Sequence, residues 1–331
     1  LNISSKITFG SACAINDDIL YVASFADKLE SIEHTRVFVL NLGLPEKWFY
    51  HDIDHKTVIS TALRPPHAET VRAGCSLTAD GEIEIYNSDG IEILAIPKRS
   101  EAKLTSLTVI DNIFFVCGGE GQIYQLDQNR CTETGYQIGK ETTSTLAKTL
   151  ELVSSDNSNK IQELAQQARS ITTLQCIDGL SKEDVYTCGT NGTIYHWNGA
   201  SWTRCKSGTK QHLHNIHCIS ADDILICGHN GTIVRGNYKL GFKRIPTEKT
   251  DTNFWCIKQF NEQIYIGTTT GLLTLKNKKF EKAIPSTLPI PHQYSIENLS
   301  STQSTLWITA DRFILRLQKD QWELIEHPDN L

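Results

Sequence analysis

The feature that most limits what this chain can fold into is a short pattern that recurs about every forty residues. Three segments align without a gap: Phe115-Val116-Cys117-Gly118-Gly119-Glu120-Gly121-Gln122-Ile123-Tyr124, Tyr186-Thr187-Cys188-Gly189-Thr190-Asn191-Gly192-Thr193-Ile194-Tyr195 and Leu225-Ile226-Cys227-Gly228-His229-Asn230-Gly231-Thr232-Ile233-Val234. Each reads as strand, tight turn, strand. Glu-Gly or Asn-Gly between alternating apolar residues supplies the positive φ that a two-residue hairpin turn needs. With the turn glycine as a ruler, weaker copies fall at Gly81, Gly271 and Arg312. The steps are 40 from Gly81 to Gly121, 39 from Gly192 to Gly231, then 40 and 41. From Gly121 to Gly192 the step is 71, and the excess falls on residues 140–170. A looser first unit spans 13–54, with candidate strands at 19–25, 35–42 and 47–53, which makes seven units.

Each unit has room for four short strands. An inner strand such as 173–177 leads into the glycine hairpin, and the fourth strand opens on an aromatic about ten residues beyond the ruler: Trp202, Phe242, Phe280 and Trp322. Aromatics at one recurring slot suit packing between units. Four strands per forty residues, seven times over, is the arithmetic of an all-β, seven-bladed β-propeller of four-stranded antiparallel blades. One such domain accounts for residues 1–331.

The fourth unit, from Glu183-Asp184-Val185-Tyr186 through Gly192-Thr193-Ile194-Tyr195-His196-Trp197 to Trp202-Thr203, resembles the blades of bacterial β-propeller repeat proteins. Those blades run Asp-Val-Tyr, Gly, Asn-Gly-Thr-Ile, Trp. The likeness covers units three to six well and the others thinly, and what it implies is the fold. No Trp-Asp pair closes a unit, and the aspartate boxes of sialidase-type propellers are absent.

Composition narrows the partners. There are 32 Lys and Arg against 38 Asp and Glu, a net charge of −6. That field opposes phosphate backbones and anionic membranes, so neither nucleic acid nor membrane is an expected partner. With 39% hydrophobic and 21% charged residues the chain is of ordinary globular type. No apolar run reaches the roughly 18 residues of a membrane span, and Leu1 to Lys6 lacks a signal-peptide core. The expectation is an acidic, cytoplasmic protein. Ten cysteines occur without any CxxC, which argues against a zinc ribbon or a thioredoxin motif. Cys117, Cys188 and Cys227 share a slot in the second strand. Cys13, Cys176, Cys218 and Cys256 share one in the first, where unit three has Val109. A slot filled by Cys or Val is small, apolar and buried, and these thiols are expected to be free and reduced.

Few residues carry visible chemistry. His212 and His214 precede an inner strand and His229 lies in the hairpin turn of the same blade. Standard propeller geometry brings all three toward the channel mouth, where they are weak candidates for a metal. The run His51-Asp52-Ile53-Asp54-His55 is a second, equally weak one. Glu82 and Glu84 share a strand face, an arrangement common on solvated strands. There is no nucleophile elbow, Walker A loop or dinucleotide fingerprint, and no cofactor is expected.

The insertion at 140–170 is the main departure from the period. Apolar residues at 161, 164, 165 and 168 predict an amphipathic helix, capped at Ser158 or Asn159, and a first helix through Leu146 and Leu150 completes a helical hairpin. Two further long connections, 26–34 and 54–71, are expected on the same face. Partner contacts are therefore assigned to Leu146, Leu150, Gln162, Gln166 and Arg169 of the insertion and to Arg64 and His67 of the second connection. The resulting expectation is a non-enzymatic scaffold that binds another protein, specifically an immunity protein that neutralises a basic toxin. The rival is a propeller hydrolase or lyase working on a glycan or small molecule in the central channel.

Overall fold

The computed structural model describes residues 5–29, 33–67, 70–127, 130–138 and 172–331. Among them the chain forms seven four-stranded antiparallel sheets arranged as a ring. The innermost strands are Ile7–Ala14, Val58–Arg64, Leu104–Ile110, Leu174–Ser181, Leu213–Ser220, Cys256–Phe260 and Ile296–Ser301. Each touches the inner strands of the two adjacent blades, the last meeting the first. Within every blade the four strands follow in chain order.

Side-chain alternation explains how a ring of thin sheets has a core. In blade three the second strand, Ile113–Gly118, sends Phe114 and Val116 back onto Cys75, Leu77 and Ile83 of blade two. Phe115 and Cys117 point forward onto Val185, Tyr195 and Trp197 of blade four. The second strand of blade five, Asp223–Gly228, repeats the arrangement, with Ile224 and Ile226 facing Tyr186 and Cys188 while Leu225 and Cys227 face Phe254 and Ile266. A strand buried on both faces cannot show polar alternation, and these read as continuous apolar runs. The interior is thus seven separate inter-blade cores. Each fully buried large side chain in them contributes about 1.5–3 kcal/mol. The recurring aromatics open the fourth strands as expected. Phe242 packs on Tyr186 of the preceding blade with ring centroids 6.1 Å apart, and Phe280 packs on Phe254 at 5.0 Å.

The ruler glycines occupy equivalent turns. Asn191 and Gly192 both have positive φ, 56° and 68°, and Thr193 N–H closes the turn on Thr190 O at 3.1 Å. Glu120-Gly121 and Asn230-Gly231 match it. Two consecutive positive φ values define a type I′ turn, whose twist suits a hairpin. The earlier glycine of the motif has a different reason. A Cβ on Gly228 would lie 2.0 Å from His212 O, because the hairpin must approach closely enough for His229 N–H to donate to that carbonyl at 2.9 Å.

One expectation changes, and with it the face assigned to Arg64 and His67. The stretch 54–71 is not one long connection: Val58–Arg64 is the inner strand of blade two. Arg64 therefore ends that strand, 7% exposed, and His67 follows in the turn to the second strand, on the face opposite the one carrying His212 and His229. The small residues Ser60, Thr61 and Ala62, followed by Pro65-Pro66, disguised a strand as a loop. The helical hairpin, with Leu146, Leu150, Gln162, Gln166 and Arg169, lies outside the described residues.

No strand is exchanged between blades one and seven, so the ring closes mainly on side chains, with one backbone bond from Phe9 N–H to Asp311 O at 2.8 Å. Phe9, Leu20 and Phe38 of blade one pack with Trp307, Ile314 and Ile325 of blade seven. At one end of the seam Asn330 accepts from Ile7 N–H at 2.9 Å and donates to Arg312 O at 2.8 Å, while Arg312 donates to Asp27 at 2.9 Å. At the other end Asp17 accepts from Ser304 Oγ at 2.5 Å and from Thr302 Oγ1, and these bonds hold its carboxyl below the usual range. Trp307 is fully buried between the blades, its indole N–H donating to Asn16 O at 3.2 Å. Trp307→Ala is expected to lower the unfolding free energy by about 3–5 kcal/mol, read from urea denaturation, by opening a cavity in the seam.

Candidate functional site

The central channel is a cavity of about 330 Å³ reached by residues from all seven inner strands. Each inner strand is the edge of its sheet, so its outward N–H groups have no strand to bond. Side chains of the preceding blade satisfy them. Ser11 Oγ accepts from Thr61 N–H at 2.9 Å, Ser60 from Leu107 at 3.0 Å, and Ser106 from Ile177 at 3.3 Å. Asp178 accepts from Cys218 at 3.1 Å, Asn215 from Ile257 at 3.0 Å and Ser300 from Ala14 at 2.8 Å. Six of the seven interfaces carry such a bond among the described residues. Blade six, with Cys256 and Lys258 in the equivalent places, has thiol and ammonium where the others have oxygen acceptors. Burial pushes the Asp178 carboxyl up, against the opposing pull of Lys258 and of the Cys218 N–H.

At one mouth of the channel the three expected histidines come together. The ring centroid of His229 lies 5.1 Å from that of His212 and 4.6 Å from that of His214. Trp255 completes the group, 4.4 Å from His214. Beside them is a pocket of about 580 Å³ whose walls include His214, Trp255, Gln175, Thr269, Ser295 and Glu297. Burial, reinforced by the neighbouring His229 and His212, brings the His214 pKa down to about 4, and its Nε2 has no hydrogen-bond partner. Burial and His212 likewise push His229 below its ordinary value. No group of three or more His, Cys, Asp or Glu among the described residues could hold a metal ion. The histidines converge, but no carboxylate or thiolate joins them.

Gln175, Trp255 and Glu297 were not singled out from the sequence, yet the repeat encodes them. Together with His214 they occupy one place in successive blades, immediately before Cys176, Asn215, Cys256 and Asn298, the residues that pair across to the second strand; Cys218, expected in the slot of Cys176 and Cys256, lies three residues beyond it. Aligning that slot would have exposed the rim.

The second histidine run is structural. His51 Nε2 lies 2.6 Å from Glu84 Oε1 across the interface of blades one and two, and its ring stacks on Tyr86 at 4.4 Å. Arg36 holds Asp52 through two bonds of 2.7 and 2.8 Å, which keeps the Asp52 carboxyl below the usual range. Glu82 pairs with Lys56. Glu82 and Glu84 thus each answer a separate cationic or imidazole partner. All ten cysteines are free thiols. Burial pushes Cys117 up to about 12 and Cys188 and Cys227 well above their ordinary value.

No protein-family model matches the chain. The immune protein Tsi7 of Pseudomonas aeruginosa is 22% identical to it, over 93% of this chain and 94% of that protein. Among solved structures, the WD40 propeller domain of Doa1 is similar with a TM-score of 0.61 at 11% identity, covering 93% of this chain and 91% of that one. U3-55K gives 0.62 at 12%, covering 92% and 89%, and YCF48 bound to D1 peptide gives 0.61 at 8%, covering 96% and 93%. These structural likenesses show the fold. Among the described residues no helix is long and apolar enough to cross a membrane.

Two outcomes follow from the protonation chemistry. In the native protein Cys117, Cys188 and Cys227 are expected to resist a thiol reagent at pH 8 and to react only on unfolding, because each is buried and protonated; rapid native labelling read by mass spectrometry is the contrary result. Acid should also destabilise the fold through His214. Its folded pKa of about 4 lies below the ordinary value of 6.5, so the unfolded ring takes up a proton that the folded one refuses. Stability contributed by this group falls as pH drops from about 6.5 and stops falling below about 4. Urea midpoints compared at pH 7 and pH 5 should show a smaller decline in His214→Asn than in the wild type.

Proposed function

We propose that this chain is an immunity protein of the bacterial cytoplasm, a non-catalytic propeller that binds a basic protein toxin and blocks it. The observation that carries the reading is the likeness to an immune protein along nearly the whole of both chains. A likeness spread over the full ring speaks for a shared architecture and not for one borrowed segment. Chemistry in the channel favours the same side. Ser11, Ser60, Ser106, Asp178, Asn215 and Ser300, groups that an enzyme of this shape would use, are engaged with backbone N–H groups of neighbouring blades. They serve the ring first. A peptide-bound propeller among the structural neighbours shows that the fold can hold a polypeptide, and a net charge of −6 favours a cationic partner.

Two places on the face that bears the His214 rim favour contact: the mouth pocket itself and the junction at Ile138 and Thr172, from which the connection between blades three and four departs. That connection exceeds the forty-residue period and is therefore not needed to close the ring. Ile138, just before it, is buried in the core between blades three and four, and Thr172, just after it, accepts from Gly121 N–H at 3.0 Å. Both flanks are thus anchored independently of the segment.

The test is capture of the partner followed by a toxicity assay. The captured protein should arrest growth when expressed alone and be harmless when co-expressed with this chain. A harmless partner, or turnover of a glycan or small molecule by the purified chain, would overturn the reading. Replacing residues 141–169 by a short Gly-Ser linker is expected to leave the thermal transition in place and to weaken toxin binding about tenfold, equivalent to about 1.4 kcal/mol. Calorimetric titration against the purified toxin checks the second half, and unchanged affinity would move the interface off this connection.

A further inference from the structure

We infer that the mouth pocket is a socket for a single arginine side chain of the partner protein. This deepens the protein-binding reading and rests on it. The indole of Trp255 is the platform, the Glu297 carboxylate is the counter-charge, and the His214 ring is the inner wall.

Three observations converge on that guest. First, Trp255 is 38% exposed at the rim, whereas Trp307 and Trp197 are buried, so a large aromatic face is left open beside a cavity that holds about 580 Å³. Second, Glu297 is exposed and has no Lys or Arg paired with it among the described residues; its Oε1 accepts from Ser295 Oγ at 2.5 Å, which fixes the carboxylate and leaves its other oxygen open. Third, the half-buried His214 ring lines the same cavity, with Trp255 packed 4.4 Å from it, so the inner wall is a second flat ring beside the indole. A guest that answers all three must be cationic, flat enough to stack on an indole, and supplied with N–H donors for the carboxylate.

Guanidinium meets those demands better than the alternatives. It stacks on aromatic faces, offers five donors in a fixed fork and pairs with carboxylate through two bonds. An ammonium lacks the plane, and an apolar side chain would leave Glu297 unanswered. An anion would meet the carboxylate. The His214 and His229 rings do not oppose a cation at neutral pH, since burial holds His214 down to about 4 and pushes His229 below its ordinary value.

The test uses the full chain and N-acetyl-arginine amide as the probe, followed by NMR of the histidine rings and indole N–H groups. Saturable shifts at His214 and Trp255 are expected with the arginine amide, smaller ones with N-acetyl-lysine amide and none with N-acetyl-leucine amide. Glu297→Gln should weaken arginine-amide binding about tenfold while the remaining amide spectrum stays in place. No saturable shift at these two residues, equal shifts with the leucine amide, or unchanged affinity in Glu297→Gln would each overturn the socket. The toxin separates this from the broader reading. If Glu297→Gln and Trp255→Ala bind a captured toxin as tightly as the wild type, the socket fails and the immunity role stands. If no toxic partner exists, the immunity role fails and the amide titration still decides the socket.

Discussion

The ring depends on a problem that every inner strand shares. Lying at the edge of its own sheet and facing a wet channel, such a strand presents backbone N–H groups with no strand to receive them. This protein answers with side chains: an oxygen on one inner strand accepts from the backbone of the next, from Ser11 to Thr61, Ser60 to Leu107, and so on at six of the seven interfaces among the described residues. The bonds are short-range and directional, so they set the height of each blade relative to the next. Apolar packing between second strands then supplies the bulk of the stabilisation, while the inner belt supplies register.

That solution limits what the channel can do. Serines and asparagines on the axis look like the raw material of an active site, but Ser11, Ser60, Ser106, Asn215 and Ser300 are engaged where they stand. The groups left open are one layer higher, at the rim, where the repeat position before Cys176, Asn215, Cys256 and Asn298 has no backbone to satisfy. Gln175, His214, Trp255 and Glu297 differ in chemistry while sharing a place in the fold. A slot free of structural duty is where a repeat protein can vary its surface blade by blade.

The architecture was legible because its signals are short and local. Asn191-Gly192 and Asn230-Gly231 announce turns by backbone preference alone, and the Cys117, Cys188 and Cys227 slot announces burial by size. The fourth-strand aromatics hold their spacing because they fill the same gap between blades. What escaped is governed by distance from the axis. Inner strands crowd the channel and take small residues, so Ser60-Thr61-Ala62 carries too little apolar signal to look like a strand, and Arg64 and His67 were placed on the wrong face. The belt and the rim escaped for a different reason. Both consist of contacts between residues some forty positions apart, whose pairing depends on how blades are stacked and not on any pattern within one blade. The histidine convergence was readable because two of its members are neighbours in sequence and the third sits in the adjoining turn.

Every blade here is spelled out by one uninterrupted stretch of chain, with no strand lent across the seam between Ile7 and Glu326. Propellers that share a strand at the seam have a marked first blade, and moving the ends would tear that blade apart. This ring has none. Its seam is chemically the same kind of joint as the other six, an apolar face with polar clasps, so any unit could in principle stand first. Such a ring can gain, lose or reorder units by recombination at the connections between blades without ever leaving half a sheet behind.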